Sequence, residues 1–247
     1  MNSIKHLYRT VSPHWKDVPA KIPARQRKRV NSIAFATGGM LTQGNIDALY
    51  YALRETKAVD GSLLEIGSYC GLSSNVITFL KRHLEIAKPL FAIDPWDLVE
   101  LDQETLARVN EDLGLSRDQL AVFIRESYKT RVGFFSQADL PHAVQGFSND
   151  VLAKWAKGET VTDQFGRDVA LGGSIAFAFI DGDHSYQGAK DDFENVDRFL
   201  SVGGIILFDD SADSDNRGCE KAAREASRHP NYELVSKNPN YMIRKLR

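Results

Sequence analysis

Apolar residues along this chain alternate between two rhythms. Ile46, Leu49, Tyr50 and Leu53 fall at i, i+3, i+4 and i+7, which predicts an amphipathic helix with Thr42 or Asn45 as its cap. Ser62 to Ile66 is a short apolar run closed by a glycine turn, the mark of a buried strand, and Ser73 to Leu84 returns to helical spacing. A second buried strand is expected over Leu90 to Ile93, stopped by Asp94-Pro95. Two helical segments follow, and the second opens on Ser116-Arg117-Asp118-Gln119, which matches a capping box. Val132 to Ser136 reads as a strand and part of Pro141 to Trp155 as helix, while the polar stretch Lys157 to Asp168 reads as an exposed loop or small hairpin. The clearest signals come last. Ile175 to Ile180 is apolar throughout, and Gln187 to Leu200 carries Ala189, Phe193, Val196 and Leu200 on one stripe. Gly203-Gly204 then turns into a buried strand at Ile205 to Phe208, and Arg217 to His229 is expected as helix. Tyr232 to Ser236 and Tyr241 to Leu246 flank Asn238-Pro239-Asn240 as a closing antiparallel hairpin.

Buried strands that alternate with amphipathic helices imply a parallel sheet covered on both faces. The expected class is therefore a doubly wound α/β fold with an antiparallel hairpin at its end. Residues 1–41 lack such periodicity; they hold Pro13, Pro19 and Pro23 and the basic cluster Arg25, Arg27, Lys28 and Arg29. We expect an N-terminal extension lying over a domain that spans residues 42–247.

Composition narrows the class further. At 247 residues with 43% hydrophobic and 26% charged positions, the chain can bury a substantial core, which excludes disorder as its main state. Its 31 basic and 33 acidic side chains leave a net charge of −2, and the basic cluster has no interleaved aromatics, so no nucleic-acid partner is expected. No run of 18 or more apolar residues occurs, so no membrane span is expected. Two cysteines, Cys70 and Cys219, exclude a disulfide scaffold and suit a reducing cytoplasm.

In sheets of this kind ligands bind beyond the carboxyl ends of the strands. After the first strand comes Glu65-Ile66-Gly67-Ser68-Tyr69-Cys70-Gly71, where glycines would let the backbone approach a ligand. Its spacing is G-x-x-x-G, unlike the dinucleotide fingerprint G-x-G-x-x-G. Asp94, at the end of the second strand, can accept from ribose hydroxyls, so the pair favours an adenosine-type ligand. The later strands add acid: Ile180 leads into Asp181-Gly182-Asp183-His184-Ser185, and Phe208 into Asp209-Asp210. If those strands are neighbours, Asp181, Asp209 and Asp210 converge, and three hard carboxylates suit Mg²⁺. Asp183, Ser185, Asp213 and Asp215 have a plainer reading as helix caps.

EIGSYCGLSS, AIDPWD, FIDGDHSYQGAKDDFENVDRFLSVGGIILFDDSAD and the Asn-Pro-Asn hairpin resemble class I S-adenosylmethionine-dependent methyltransferases. More narrowly, they are similar to the branch that holds bacterial small-molecule and macrolide-sugar O-methyltransferases. The resemblance covers Gly61 to Arg247 and implies a mostly parallel, seven-stranded Rossmann-like sheet. It implies that Glu65, Gly67, Ser68 and Gly71 line the cofactor, with Asp181 beside them, and that Asp94 holds the ribose. It further implies that Asp181, Asp209 and Asp210 bind metal and that His184 is the general base, with Asp181 completing the catalytic pair. Ser136, Gln137 and Asp139 are candidates for the adenine contact.

The expected reaction is Mg²⁺-assisted O-methylation of a hydroxylated small molecule, with neutral His184 taking the hydroxyl proton. The segment Asp97 to Thr130 and the loop Lys157 to Asp168 would shape the acceptor pocket. A homo-oligomer is possible through the N-terminal extension. Two other readings remain: a non-catalytic S-adenosylmethionine-binding module, which would not need Asp181, His184, Asp209 and Asp210 together, and a nicotinamide oxidoreductase, which clustered acids would disfavour.

Overall fold

The computed structural model describes residues 16–97, 114–213 and 218–247. The first helix expected after Asp94, the candidate cap Asp215 and the expected helix start at Arg217 lie outside them. Seven strands form one sheet: β1 (Ser62–Ile66), β2 (Leu90–Asp94), β3 (His142–Gln145), β6 (Ile175–Ile180), β7 (Leu200–Phe208), β8 (Tyr232–Lys237) and β9 (Tyr241–Lys245). Their order is β3-β2-β1-β6-β7-β9-β8; β9 runs antiparallel to both its neighbours and the other pairs are parallel. This is the expected doubly wound sheet with its closing hairpin. Strand order reverses between β1 and β6, the place where such folds open a crevice.

Alternation along each strand sorts the core into two layers. Leu63, Phe177, Phe179, Ile205 and Leu207 face one side, together with Val30 of α1 (Ala24–Ala36), Leu49 of α2 (Gln43–Glu55) and Val76 of α3 (Leu72–His83). Leu64, Ala178, Ile180, Ile206 and Phe208 face the other. There they meet Trp155 of α5 (Ser148–Lys157), Val196 of α6 (Tyr186–Asp197) and Ala223 of α7 (Cys219–Arg228). Thr42 caps α2 by accepting from the Asn45 N–H. The capping box at Ser116 opens α4 (Arg117–Phe135) as expected.

Three expectations are corrected. Val132 to Ser136 is no strand; Val132 continues the stripe Ile124, Tyr128, Val132 of α4, buried against Cys70 and Trp96. The third strand is instead His142–Gln145, only four residues long and half polar, which hid it. Leu200 opens β7 rather than closing α6, and the two glycines lie inside that strand where its register to β6 shifts. Residues before Thr42 hold a helix, α1, whose basic residues mask a narrow stripe; Val18, Ile22 and Val30 join the main core. Arg27 of the basic cluster pairs with the buried Asp47 of α2.

Both sheet edges are covered, which removes the hazard of open strands. Lys16 bridges Lys237 on β8. At the other edge, the Lys157 to Asp168 segment forms a hairpin of β4 (Thr160–Thr162) and β5 (Asp168–Ala170). Gln164 N–H donates to Ala143 O of β3 at 2.8 Å. Arg167 donates to the Pro141 and Leu140 carbonyls and grips Asp163, whose side chain is fully buried. The hairpin therefore braces β3, two strands away from β1 in the sheet. Among the described residues, no helix is long and apolar enough to cross a membrane.

Arg167→Met should strand the Asp163 carboxylate. We expect a loss of about 2–3 kcal/mol in urea unfolding, below the usual figure for a fully buried pair because the arginine is partly exposed. Adding Asp163→Asn should recover part of that loss; strict additivity of the two changes would contradict the role given to the pair.

Candidate active site

Backbone pairing carries the strand ends into the crevice. The Asp181 N–H donates to Ile66 O and the Asp209 N–H to Ile180 O, both at 2.8 Å, so the two acids emerge side by side beyond β6 and β7. After Asp181 the chain turns into α6. Asp183 accepts from the Ser185 N–H and hydroxyl, and Ser185 caps α6 by accepting from the Gly188 N–H. Both residues serve the turn, as their plainer reading held. Between them His184 lies across the crevice, with Nε2 3.3 Å from Asp181 Oδ1 and Nδ1 3.5 Å from Asp210 Oδ2. Asp181, His184 and Asp210 each offer a ligand atom within 4.8 Å of the others.

Asp209 is placed differently. Its Oδ1 accepts from Asn45 Nδ2 and Asn240 Nδ2, each at 2.5 Å, and from the Asp210 N–H at 2.8 Å. It is therefore not part of the three-residue cluster, although the sequence grouped it with Asp181 and Asp210. Burial pushes the Asp181 carboxyl up to about 8; the His184 hydrogen bond opposes this and the charges of Asp209 and Asp210 add to it. Burial also raises Asp209, against the Asn45 hydrogen bond.

On the far side of the crevice, the loop after β1 is held by Asp94. Oδ2 accepts from the Ser68 and Tyr69 N–H groups at 2.8 and 2.9 Å, and Oδ1 from the Trp96 N–H at 2.6 Å. Trp96 Nε1 in turn donates to Tyr69 O at 2.9 Å. Gly67 and Gly71 have positive φ, and a Cβ would lie 1.8 Å from Asp181 O at the first and 2.4 Å from Val132 at the second. Close packing within the protein therefore requires glycine at both positions.

Glu65 is fully buried on β1, and Ser74 of α3 donates its hydroxyl to Oε2. Glu65 Oε1 and Ser68 Oγ have no hydrogen-bond partner among the described residues. Burial pushes the Glu65 carboxyl up to about 7, with the Ser73 and Ser74 hydroxyls opposing. Of the adenine candidates, Ser136 donates to Asn75 Oδ1 and Asp139 pairs with the buried Lys81, so two of the three are engaged in the described structure. Asn45, Asn240 and Trp96 were missed as site residues. The first read only as a cap and the second only as a turn residue.

The family model for the methyltransferase domain matches residues 64–211, a span that holds the loop after β1, Asp94, Asp181, His184, Asp209 and Asp210. The chain belongs to this methyltransferase family. No curated protein sequence matches the methyltransferase. Among solved structures it is similar to the O-methyltransferase NovP (TM-score 0.54, 16% identity, 85% of this chain and 84% of that one). It is also similar to CalS11, a calicheamicin methyltransferase (TM-score 0.53, 17% identity, 90% and 80%). A third is an O-methyltransferase from Bacillus cereus in complex with SAH (TM-score 0.55, 12% identity, 93% and 94%). At these identities the likeness establishes a methyltransferase fold.

Glu65 carries a pH signature of the site. Its carboxyl binds a proton more tightly in the folded chain, at about 7, than its ordinary value of 4.5. The folded state then holds protons that the unfolded state has released, so this stability is present at low pH and lost as pH rises through about 7. The change is on the order of 3 kcal/mol between pH 4.5 and 8. Glu65→Gln, a mimic of the protonated form, should flatten that part of the urea-unfolding profile; an unchanged slope would contradict the assignment.

Proposed function

We propose that this methyltransferase moves a methyl group from S-adenosylmethionine to a hydroxyl oxygen of a small molecule, with a divalent cation such as Mg²⁺ at the β6–β7 end. The observation that carries the reading is the cluster Asp181–His184–Asp210 at the crevice, next to the loop after β1. The chain's polar atoms fit both groups. Glu65 Oε1 and Ser68 Oγ are buried without partners among the described residues, one an acceptor and one a hydroxyl, and they suit the ammonium end of the donor. Asp94 accepts three backbone N–H groups and keeps room for about one further donor, enough for one ribose hydroxyl rather than two. The carboxylates of Asp181 and Asp210, in close reach of one another, are hard donors suited to Mg²⁺ or Mn²⁺, with the His184 imidazole beside them.

When bound, S-adenosylmethionine supplies an electrophilic sulfonium methyl, and the cation supplies positive charge beside the acceptor oxygen. The protein's own work is to orient and to take a proton. Asp181 and Asp210 would hold the cation, and His184 between them is oriented from both ring nitrogens. A neutral imidazole carries one lone pair, the acceptor that a general base at His184 would use. Asp94 holds the loop by three hydrogen bonds, which keeps the donor pocket rigid. The acceptor is expected to be a sugar, phenol or other hydroxylated metabolite. A reducing, cytoplasmic setting belongs to the same reading, supported by the free thiols Cys70 and Cys219.

Calorimetry with S-adenosylmethionine and its demethylated product, paired with turnover on a library of hydroxylated metabolites, tests this. His184→Ala should keep product affinity and lose 10²–10⁴-fold in rate. Chelation should stop turnover while leaving product affinity nearly intact. Full activity after chelation would reject the cation. Tight donor binding with no turnover on any acceptor would favour a non-catalytic binding module.

A further inference from the structure

Asn45, Asn240 and Asp209 are 1%, 4% and 7% exposed and form one closed hydrogen-bonded group. Asn240 Nδ2 donates to Asn45 Oδ1 at 2.9 Å as well as to Asp209 Oδ1 at 2.5 Å, and Asn45 Nδ2 donates to the same Asp209 oxygen at 2.5 Å. The group grips both neighbours of one cluster residue. Asp209 Oδ1 accepts from the Asp210 N–H at 2.8 Å, and Asn240 Oδ1 accepts from the Ser211 N–H at 3.0 Å. Ser211 Oγ then closes the loop by accepting from the Tyr241 N–H and donating to Phe208 O. Between these anchors Asp210 adopts φ +44, a left-handed backbone that a non-glycine residue holds only when its surroundings impose it.

We infer that Asn45 and Asn240 are positioning residues that act through Asp209 to aim Asp210 at His184 and Asp181, with Asp209 serving as the anchor and not as a cation ligand. The inference rests on the cation reading above. Asp209 Oδ1 already accepts three donors, and Asp209 stands outside the cluster whose ligand atoms lie within 4.8 Å of one another; a buried acceptor fixed from α2, the closing turn and its own neighbour is a good pivot. The anchor also explains why α2 and the closing hairpin meet at this one carboxylate.

The test is Mn²⁺ binding to the full-length protein, read from the electron paramagnetic resonance of free Mn²⁺ without donor or acceptor present. Asp181→Asn and Asp210→Asn should each weaken binding by more than about 100-fold, as expected of ligands. Asn45→Ala and Asn240→Ala should each weaken it by about 10–100-fold, the usual effect of losing a supporting partner. Asp209→Asn keeps an oxygen to accept the three donors, so it should stay within about threefold of wild type, while Asp209→Ala should not. Val235→Ala, a core change in β8 of the same hairpin and outside the hydrogen-bonded group, should bind Mn²⁺ normally and so controls for mere loosening. If Asp209→Asn loses binding as fully as Asp210→Asn, Asp209 is a ligand and the inference is overturned. Wild-type affinity in Asn45→Ala and Asn240→Ala would overturn it equally. No Mn²⁺ binding by the wild type, or undiminished binding in both Asp181→Asn and Asp210→Asn, would instead overturn the cation reading, and this inference with it.

Discussion

Parallel pairing of β6 with β7 is the constraint on which the site depends. Ile180 pairs with Phe208 at the last position of both strands, so the acids that follow leave the sheet at one level. The two strands are apolar on both faces because helices cover both, and this burial fixes their register: a slip by one residue would exchange the core faces. Hydrophobic packing across the sheet thus holds carboxylates together that would otherwise separate. Their crowding is visible in Asp181, whose carboxyl burial and the neighbouring charges of Asp209 and Asp210 push up to about 8.

Each buried acid around the crevice is held by donors chosen for a different task. Asp94 takes three N–H groups from the loop and from Trp96, which makes it a brace for the loop after β1. Asp209 takes two side-chain amides and an N–H, which makes it an anchor for the residue beside it. Glu65 takes the Ser74 hydroxyl on Oε2, while its Oε1 has no hydrogen-bond partner among the described residues. An unmet buried acceptor costs free energy, which sets Glu65 apart from the other two. The difference between brace, anchor and open acceptor is a matter of partners, since all three residues are carboxylates at strand ends.

Much of this was legible from the residues alone. Asp181 and His184 stand directly after an unbroken apolar run, and Asp94 ends another, so position along a strand pointed to them. The distinction between Asp209 and Asp210 was not legible, because adjacent acids look alike until the partners of each are known. Asn45 and Asn240 lie 195 positions apart, and their pairing arises only when the hairpin folds back beside α2. Val132 misled because β-branched and aromatic neighbours favour strands locally, while the tertiary contacts of Ile124, Tyr128 and Val132 with Cys70 and Trp96 favour helix. The close approach of Asp181 O and Val132, which also requires glycine in the loop after β1, was not legible because both come from distant parts of the chain.

The central claim is that the ends of β6 and β7 form a cation site beside a methyl-donor pocket. Anomalous diffraction from crystals grown with Mn²⁺ and the demethylated cofactor product tests it most directly. The account predicts a single strong peak bounded by the carboxylates of Asp181 and Asp210, with His184 alongside and Asp209 still held by Asn45 and Asn240. A fully occupied cofactor product with no anomalous peak at that cluster would contradict it.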